Sequence, residues 1–349
     1  MLTFANIDQV TLPGPTCITI GNFDGLHRGH QALLQQLIKI AAQEATHRGL
    51  SAPLQSGIVT FDPHPLIVLR PDQPHWLLTT PEERLTLAAA QGVDFGVIQR
   101  FTLDLAALTA AEFVERLKKH LQLAALVVGP DFALGRGRQG DVAFLRTLGQ
   151  TLDYTVHVIE PVDWQGLSVR SSRIRAALHD GDVALTATLL GRPYSVTGPV
   201  MLGDQRGRQI GIPTANIQIP SDKLLPKNGV YATRAQLHLG DKRYRFDSVA
   251  NLGTRPTVDG VDRRLEVHLL DFPLLSGDDM LSTDSSSSHG PLVDAPPPNS
   301  PLLTGDLYGH QLTVEFVARL RDEQRFDGLA ALVAQIHADI AHARALFAS

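Results

Sequence analysis

The sequence predicts an α/β fold with a doubly wound parallel sheet in its first half, followed by an antiparallel β-barrel with a terminal helix. The first half alternates short apolar runs with helical patterns, whereas the second half has short alternating runs broken by glycine and proline. The chain has 349 residues, and a single domain usually has about 100 to 200. We therefore predict two domains, over residues 1–186 and 187–349.

Each predicted strand of the first half is a short apolar run followed by a segment long enough for a helix. The apolar runs cover residues 16–21, 57–61, 95–99, 125–129 and 155–159, and helical patterns cover residues 31–43 and 81–91. This alternation is typical of a parallel sheet, in which ligands bind beyond the carboxyl ends of the strands. We therefore expect a ligand site in the loops that follow these runs.

The second half begins after a helical stretch at residues 175–189. Its predicted strands cover residues 194–201, 229–237, 242–252, 265–270 and 311–320, and apolar residues recur at helical spacing over residues 329–345. Short strands with turn signals between them favour an antiparallel barrel, and an amphipathic helix is expected to pack on it.

Residues 276–300 differ in composition from the rest of the second half. They include four consecutive serines, three consecutive prolines and several acidic residues, with little apolar surface to offset the entropy of ordering. We predict a disordered insertion between two strands. A structured binding motif is the alternative.

Composition and charge narrow the class of function. Hydrophobic residues make up 43% of the chain and charged residues 19%, which is ordinary for a globular protein. A net charge of −5 gives no overall positive field for nucleic acid, and no apolar run is long enough to span a membrane. Cys17 is the single cysteine, and the N-terminus has no signal-peptide pattern. We expect a cytoplasmic protein with neither nucleic acid nor membrane as a partner.

The first chemical motif, residues 21–30, follows the first strand of the main sheet and enters the first long helix. His27 and His30 lie three residues apart at the start of that helix, where free backbone N–H groups and the helix dipole attract phosphate. Gly29 lets a nucleotide approach the backbone closely. This HxGH arrangement occurs in nucleotidylyl transferases, which stabilise charge on the α-phosphate and on departing pyrophosphate. A pair of helix-capping histidines without a ligand is the alternative.

Three further loops of the first half carry glycine, proline, histidine, hydroxyl or arginine residues. Residues 61–65 and 128–141 each follow an apolar strand and are expected to form a nucleotide and flavin pocket. Residues 169–175 open a helix with hydroxyl and guanidinium groups that can hold phosphates. Turn formation and helix capping alone could also explain each of these loops.

Together these four segments resemble the adenylylating module of bacterial bifunctional riboflavin kinase and FAD synthetases, over about residues 15 to 186. The resemblance implies that ATP contacts Asn22, His27, His30 and Asp131, and that Ser171, Ser172 and Arg175 form a second phosphate-binding loop. We expect His64 and Phe132, in the loops at 61–65 and 128–141, to bind the flavin. One departure is that Arg170, Ser171 and Ser172 stand where the family usually has Ser-Ser-Thr. This leaves the contacts of that loop with phosphate open.

The second chemical motif is a glycine-spaced run, with Gly203 and Gly207, that leads into residues 213–216. Backbone N–H groups near these glycines could bind phosphates of ATP, and Thr214 and Asn216 offer oxygen ligands for Mg²⁺ on one side of a strand. Glu266 is an acidic residue in an otherwise apolar strand, where a carboxylate is costly unless paired or used, so it is a candidate general base. Simple turn formation is the alternative for the glycines.

With residues 251–257 and 320–326, this motif resembles the riboflavin kinase module over about residues 188 to 340. The resemblance implies that Thr214 and Asn216 bind Mg²⁺ with ATP, that Glu266 is the base, and that Arg321 lies on the flavin side. The insertion falls between the strand of Glu266 and residues 306–309, where the family usually has a tight turn.

The two modules predict an enzyme that phosphorylates riboflavin to FMN and adenylylates FMN to FAD with release of pyrophosphate. Its expected partners are the small molecules riboflavin, FMN and ATP, with Mg²⁺ as cofactor, and we expect a monomer or weak homo-oligomer. One alternative is another HxGH adenylyltransferase, for pantetheine phosphate or a nicotinamide nucleotide, with an appended barrel. A second is a flavin-binding protein without catalysis, which would not need Glu266 as a base.

Overall fold

The computed structural model describes residues 1–161, 163–203, 207, 210–240, 242–257, 260–272, 292–294 and 307–348. The chain divides into two compact units, Met1–Arg173 and Ile174–Ser349. The domain boundary between residues 186 and 187 stays a prediction. None of the described helices is long and apolar enough to cross a membrane.

The first unit consists of a sheet with helices on both faces. Its strands are β1 (Leu2–Phe4), β2 (Thr16–Ile20), β3 (Gln55–Asp62), β4 (Phe95–Arg100), β5 (Leu123–Val128), β6 (Ala133–Leu134), β7 (Gly140–Asp141), β8 (Thr155–Val158), β9 (Asp163–Trp164) and β10 (Leu167–Ser168). Its helices are α1 (Arg28–His47), α2 (Pro65–Leu69), α3 (Pro81–Ala89), α4 (Leu103–Ala107), α5 (Ala110–Leu121) and α6 (Val142–Leu152), and α7 (Ser171–Asp180) crosses the division between the units.

The main sheet has six strands in the order β1-β4-β3-β2-β5-β8, and every pairing is parallel. The chain leaves β2 toward β3 on one side and later returns to β5 on the other side. Ligands in such sheets bind at this reversal, beyond the carboxyl ends of the strands. The motif of residues 21–30 and the loops at 61–65 and 128–141 follow β2, β3 and β5, so all three lie at this edge.

The central strands are buried on both faces, as is typical of a parallel sheet. Every residue of β2 and β5 is buried, because helices cover both faces of the sheet. One apolar cluster includes Ile18 and Phe95, and the cluster on the opposite face includes Cys17 and Ile58. Neighbouring residues of a strand thus point to opposite cores. The sequence missed β1, a three-residue edge strand with no apolar run of its own.

The second unit is a closed antiparallel barrel with a terminal helix. It contains α8 (Val183–Leu190), β11 (Tyr194–Met201), β12 (Ala215–Ile217), β13 (Gly229–Leu239), β14 (Lys242–Thr257), β15 (Gly260–Leu269), β16 (Leu292–Asp294), β17 (Gln311–Arg321) and α9 (Leu329–Ala348). Six strands follow the order β13-β17-β11-β12-β15-β14, and a pairing of β13 with β14 closes the ring. The two-part fold predicted from the sequence is confirmed.

Alternation along the barrel strands separates an interior from an outer face. Residues Val196, Leu237 and Phe316 are buried in the interior. On part of the outer face, α9 covers an apolar cluster that includes Val230 and Val249. The predicted insertion at 276–300 lies outside the described residues, except for β16, which pairs in parallel with residues Arg243–Arg245 of β14.

Candidate active sites

His27 and His30 stack on each other at the N-terminus of α1. His27 is the N-cap residue of this helix, and its Nδ1 accepts a hydrogen bond from the backbone N–H of His30 at 3.3 Å. The two ring centroids are 3.7 Å apart with an interplanar angle of 12°. A Cβ on Gly29 would lie 3.2 Å from Cε1 of His27, so glycine also leaves space for that ring. The pair therefore caps the N-terminus of α1, where the helix dipole favours negative charge.

The surroundings of His30 favour the neutral form of its ring. Its ring packs edge-on against Phe23, with centroids 5.1 Å apart. Burial, and then the neighbouring His27, hold the pKa of His30 well below its usual value of 6.5. Among the atoms that the structure describes, Nδ1 of His30 is buried without a hydrogen-bond partner. A neutral imidazole with an unused ring nitrogen can donate one hydrogen bond to a ligand oxygen.

The loop that carries the two histidines is fixed by buried hydrogen bonds that the sequence did not reveal. The carboxylate of Asp24, which is 2% exposed, accepts from the backbone N–H groups of Leu78 and Thr79 at 3.0 Å. Oγ1 of Thr79 accepts from the N–H of Gly25 at 2.9 Å, and Oγ of Ser171 donates to the carbonyl of Asp24 at 3.0 Å. More than fifty residues separate Asp24 from Thr79, so no local pattern could indicate this contact.

The loops after β3 and β5 place their predicted residues in different environments. His64 is buried, caps α2 by accepting from the N–H of Leu66 at 3.2 Å, and stacks on His75 with ring centroids 4.1 Å apart. Asp131 is exposed, and its carbonyl accepts from Arg138 at 2.9 Å. Phe132 packs partly buried against the core of the first unit. His64 and Asp131 thus lie beyond the carboxyl ends of the strands, where a ligand is expected. The Phe132 side chain also packs against the core.

The predicted second phosphate loop lies at the start of α7. Ser171 is the first residue of this helix and contacts the loop of the histidines through Asp24, as described above. Ser172 is exposed, and Arg175 lies one turn further along. Beside this region, the guanidinium of Arg28 stacks over Trp164 of β9 at 3.7 Å from the ring centroid. Ser171 is therefore fixed next to the HxGH motif, and Ser172 faces solvent.

Glu266 of β15 lies between two asparagines on neighbouring strands. In the strand register it stands opposite Asn216 of β12 on one side and opposite Asn251 of β14 on the other. Leu265 and Val267 on either side of it are fully buried in the barrel, whereas Glu266 is only partly buried. The carboxylate therefore projects from the outer face, within a row of amide side chains.

The predicted magnesium ligands Thr214 and Asn216 lie immediately before β12 and within it. Thr214 is exposed and Asn216 partly buried, while Ala215 between them is buried, so burial alternates over these three residues. A Cβ on Gly203 would collide with the amide of Asn216, and one on Gly207 would lie 3.4 Å from Oγ1 of Thr214. The backbone at Gly203 thus passes close to Asn216, and the backbone at Gly207 passes close to Thr214. Their hydroxyl and carbonyl oxygens are hard ligands that fit Mg²⁺.

His268 holds this segment in place, a role without a sequence signal. Its Nδ1 lies 2.8 Å from the carbonyl oxygen of Pro213, and burial lowers the pKa of His268 from 6.5. Since a carbonyl only accepts, Nδ1 is the donor. Among the described residues, no cluster of three histidine, cysteine or acidic side chains could hold a metal ion.

Arg321 pairs with α9. Its Nε and Nη2 donate to the carboxylate of Asp339 at 3.0 and 2.8 Å, and Gln335 also donates to Asp339 at 3.0 Å. The Arg321 guanidinium also lies 5.8 Å from the ring centroid of Phe326. Arg321 thus attaches the end of β17 to the terminal helix.

Comparison with known families and relatives gives the same two-part division of function. Residues 10–173 match the family model described as FAD synthetase, and residues 190–347 match the one described as riboflavin kinase. A protein of Escherichia coli K12 named bifunctional riboflavin kinase/FMN adenylyltransferase is 38% identical over 98% of this chain and 96% of its own length. A protein of Pseudomonas fluorescens with the same name is 38% identical over 95% of this chain and 92% of its length.

A solved structure has the same overall chain fold. A crystal structure described as a macrolide-efflux protein from Streptococcus pneumoniae superimposes with a TM-score of 0.78, at 28% sequence identity and over 98% of each chain. The matches to the family models and the curated relatives confirm the resemblance that the motifs indicated.

Proposed function

Because this chain belongs to the family of bifunctional riboflavin kinases and FMN adenylyltransferases, we propose that its first unit adenylylates FMN and its barrel phosphorylates riboflavin. The observation that supports this division most directly is the position of the two motifs. The stacked histidines lie at the reversal point of the parallel sheet, and Glu266 lies in the asparagine row of the barrel.

In the first unit, the proposed reaction is attack of a phosphate oxygen of FMN on the α-phosphorus of ATP. A new P–O–P bond forms, the bond to the β-phosphate breaks, and pyrophosphate leaves. We propose that His27 and His30 donate hydrogen bonds to the phosphates, together with the N–H groups at the start of α1. Asn22, Asp131, Ser171, Ser172 and Arg175 are proposed ATP contacts. No covalent enzyme intermediate is needed.

The low pKa of His30 is consistent with a hydrogen-bond donor that does not exchange its proton during the reaction. A ring kept neutral by burial retains one N–H at physiological pH. Donors fixed before the reaction stabilise developing charge without the cost of reorientation. We propose His64 and Phe132 as residues of the flavin side of this site.

In the barrel, the proposed reaction is attack of the riboflavin 5′-hydroxyl on the γ-phosphorus of ATP, with ADP as leaving group. Glu266 accepts the hydroxyl proton as the new O–P bond forms. The backbone beside Gly203 and Gly207 is proposed to bind ATP phosphates, and Thr214 and Asn216 would hold Mg²⁺. When bound, Mg²⁺ neutralises charge on the phosphates.

Arg321 is proposed to support the flavin side of the barrel rather than to be a free ligand, because its guanidinium is paired with Asp339. Riboflavin, FMN and ATP are the proposed small-molecule partners. The cytoplasmic location and the monomeric or weakly associating state stay predictions, which fractionation and sedimentation would test.

The function is tested by incubating the whole chain with riboflavin, ATP and Mg²⁺ and resolving the products. We expect FMN with ADP first and FAD with pyrophosphate afterwards. Omitting Mg²⁺ or adding a chelator should stop the formation of FMN. Absence of both flavin products from folded protein would contradict the proposal. If the protein converts riboflavin to FMN but makes no FAD from supplied FMN and ATP, the part of the proposal that concerns the first unit is contradicted.

A further inference from the structure

Arg84 of α3 is a fully buried cation whose donors point to backbone carbonyl groups. Its side chain has 0% exposure. Nη1 donates to the carbonyl of Asn22 at 3.2 Å and to that of Phe61 at 3.1 Å, and Nε and Nη2 both lie 3.4 Å from the carbonyl of Thr79. Nη1 also lies 3.1 Å from Oγ1 of Thr60. A buried charge is costly unless such acceptors surround it.

These carbonyls belong to three chain segments that meet at the ligand edge of the sheet. Asn22 lies in the loop after β2, Phe61 lies near the end of β3 ahead of His64, and Thr79 precedes α3. The carbonyl of Asn22 also accepts from Thr60 at 3.0 Å, so Thr60 and Arg84 fix it together. One planar guanidinium thus sets the spacing of the two loops that carry the predicted ATP and flavin residues.

The same network continues into the histidine loop through Thr79. Its carbonyl is bonded to Arg84, its N–H to the carboxylate of Asp24, and its Oγ1 to the N–H of Gly25. Gly25 is two residues before His27. A displacement of Thr79 would therefore move the N-terminus of α1 and with it both imidazoles.

We propose that Arg84 is a positioning residue of adenylyl transfer, which holds the HxGH loop and the loop after β3 in their reactive arrangement through Asn22, Phe61 and Thr79. This inference rests on the proposed function of the first unit. A positioning role affects the transition state more than the binding of ground-state ATP, because small displacements of fixed donors lower the rate steeply.

The experiment compares FMN adenylylation by the parent protein with that by Arg84→Met, Arg84→Lys and Thr79→Val. We expect kcat of Arg84→Met to fall by about a hundredfold while KM for ATP changes by less than about threefold. Arg84→Lys should recover part of the loss, since an ammonium keeps the charge but not the planar fork of donors. Thr79→Val, which keeps the side-chain volume, should lose about tenfold in kcat.

The matched control is Glu44→Gln, at the other end of α1. Glu44 is 5% exposed and lies 2.8 Å from the partly buried His157, so its replacement also disturbs a polar pair of the same unit. It should leave adenylylation kcat within about threefold of the parent. Riboflavin kinase activity of every variant serves as an internal reference, and the melting curve shows that each first unit is folded at the assay temperature.

Folded Arg84→Met with parental adenylylation kcat would overturn the inference, as would an equal loss in Glu44→Gln. If Arg84→Met does not fold, Thr79→Val and Arg84→Lys decide: parental kcat in both overturns the positioning role, and a loss in kcat with unchanged KM supports it. Failure of the parent protein itself to make FAD from FMN would instead contradict the proposed function.

Discussion

Replacing Glu266 with glutamine separates the chemistry of the barrel from its stability. The side chain stands between Asn216 and Asn251 on the strand face away from the buried core. Opposite residues of neighbouring strands have Cβ atoms about 4.5–5.5 Å apart, so the amide of glutamine can bond to the same neighbours. The change therefore removes the proton acceptor while keeping size and most contacts.

The expected kinetic loss far exceeds the expected change in stability. Loss of a general base lowers the rate by roughly a hundredfold to ten-thousandfold, which is about 2.7–5.4 kcal/mol of transition-state stabilisation. A shape-conserving change at a partly exposed strand position changes the free energy of unfolding by about 0.5 kcal/mol or less. Against a typical stability of about 5–15 kcal/mol, this leaves the barrel folded.

The assay measures ADP and FMN from riboflavin and ATP, and then FAD from added FMN and ATP. The rate of riboflavin phosphorylation should fall by roughly a hundredfold to ten-thousandfold. The rate of FMN adenylylation should stay at the parental value. A control is Glu315→Gln on β17, where a partly buried carboxylate accepts from Gln236 at 2.8 Å; this variant should keep kinase activity. If folded Glu266→Gln phosphorylates riboflavin at close to the parental rate, Glu266 is not the general base. Loss of adenylylation alone would reverse the assignment of the two units.

Three further predictions concern His30 and Asp339. His30→Ala should accumulate FMN and lose FAD formation, at a cost of about 2.7–4 kcal/mol for one donor to developing charge; parental FAD synthesis would exclude this role. Since the folded pKa of His30 lies well below 6.5, the unfolded chain binds its proton first. The free energy of unfolding of the first unit should therefore fall as pH drops below about 6.5. His30→Gln should weaken this pH dependence, measured by urea unfolding at several pH values. The same pH dependence in parent and variant would contradict the prediction. Asp339→Asn should cost about 1–3 kcal/mol, less than a wholly buried pair because the Arg321 side chain is 20% exposed. Thermal melting should show a lower Tm than for Asp271→Asn, whose pair is largely exposed; equal Tm values would contradict the prediction.

Local sequence patterns predicted the architecture because strands and helices have distinct periods. Apolar runs marked five of the six strands of the main sheet to within two residues at either end, including Thr16–Ile20 and Leu123–Val128. Glycine and proline between short runs indicated the barrel, whose closure required the pairing of β13 with β14. The three-residue β1 gave no such signal, since its place depends on pairing with β4.

The sequence also indicated several residues of the candidate sites. Short motifs indicated His27, His30, Thr214 and Asn216, because the chemistry of phosphate and Mg²⁺ requires donors and oxygen ligands at close spacing. An acidic residue in an apolar strand indicated Glu266. Their roles stay predictions until the kinetic tests are made.

Local sequence patterns were sufficient to predict the order of the two modules, their fold classes and the short motifs proposed for their chemistry. The distant groups that hold those motifs in place became visible in the folded chain: Arg84 donates to Asn22, 62 residues earlier in the chain, and Arg321 pairs with Asp339 on the terminal helix. A buried arginine on α3 has the same sequence pattern as one on a solvated helix face. The physical reason is that periodicity and capping are local properties, whereas the partner of a buried charge depends on which loops the topology brings together.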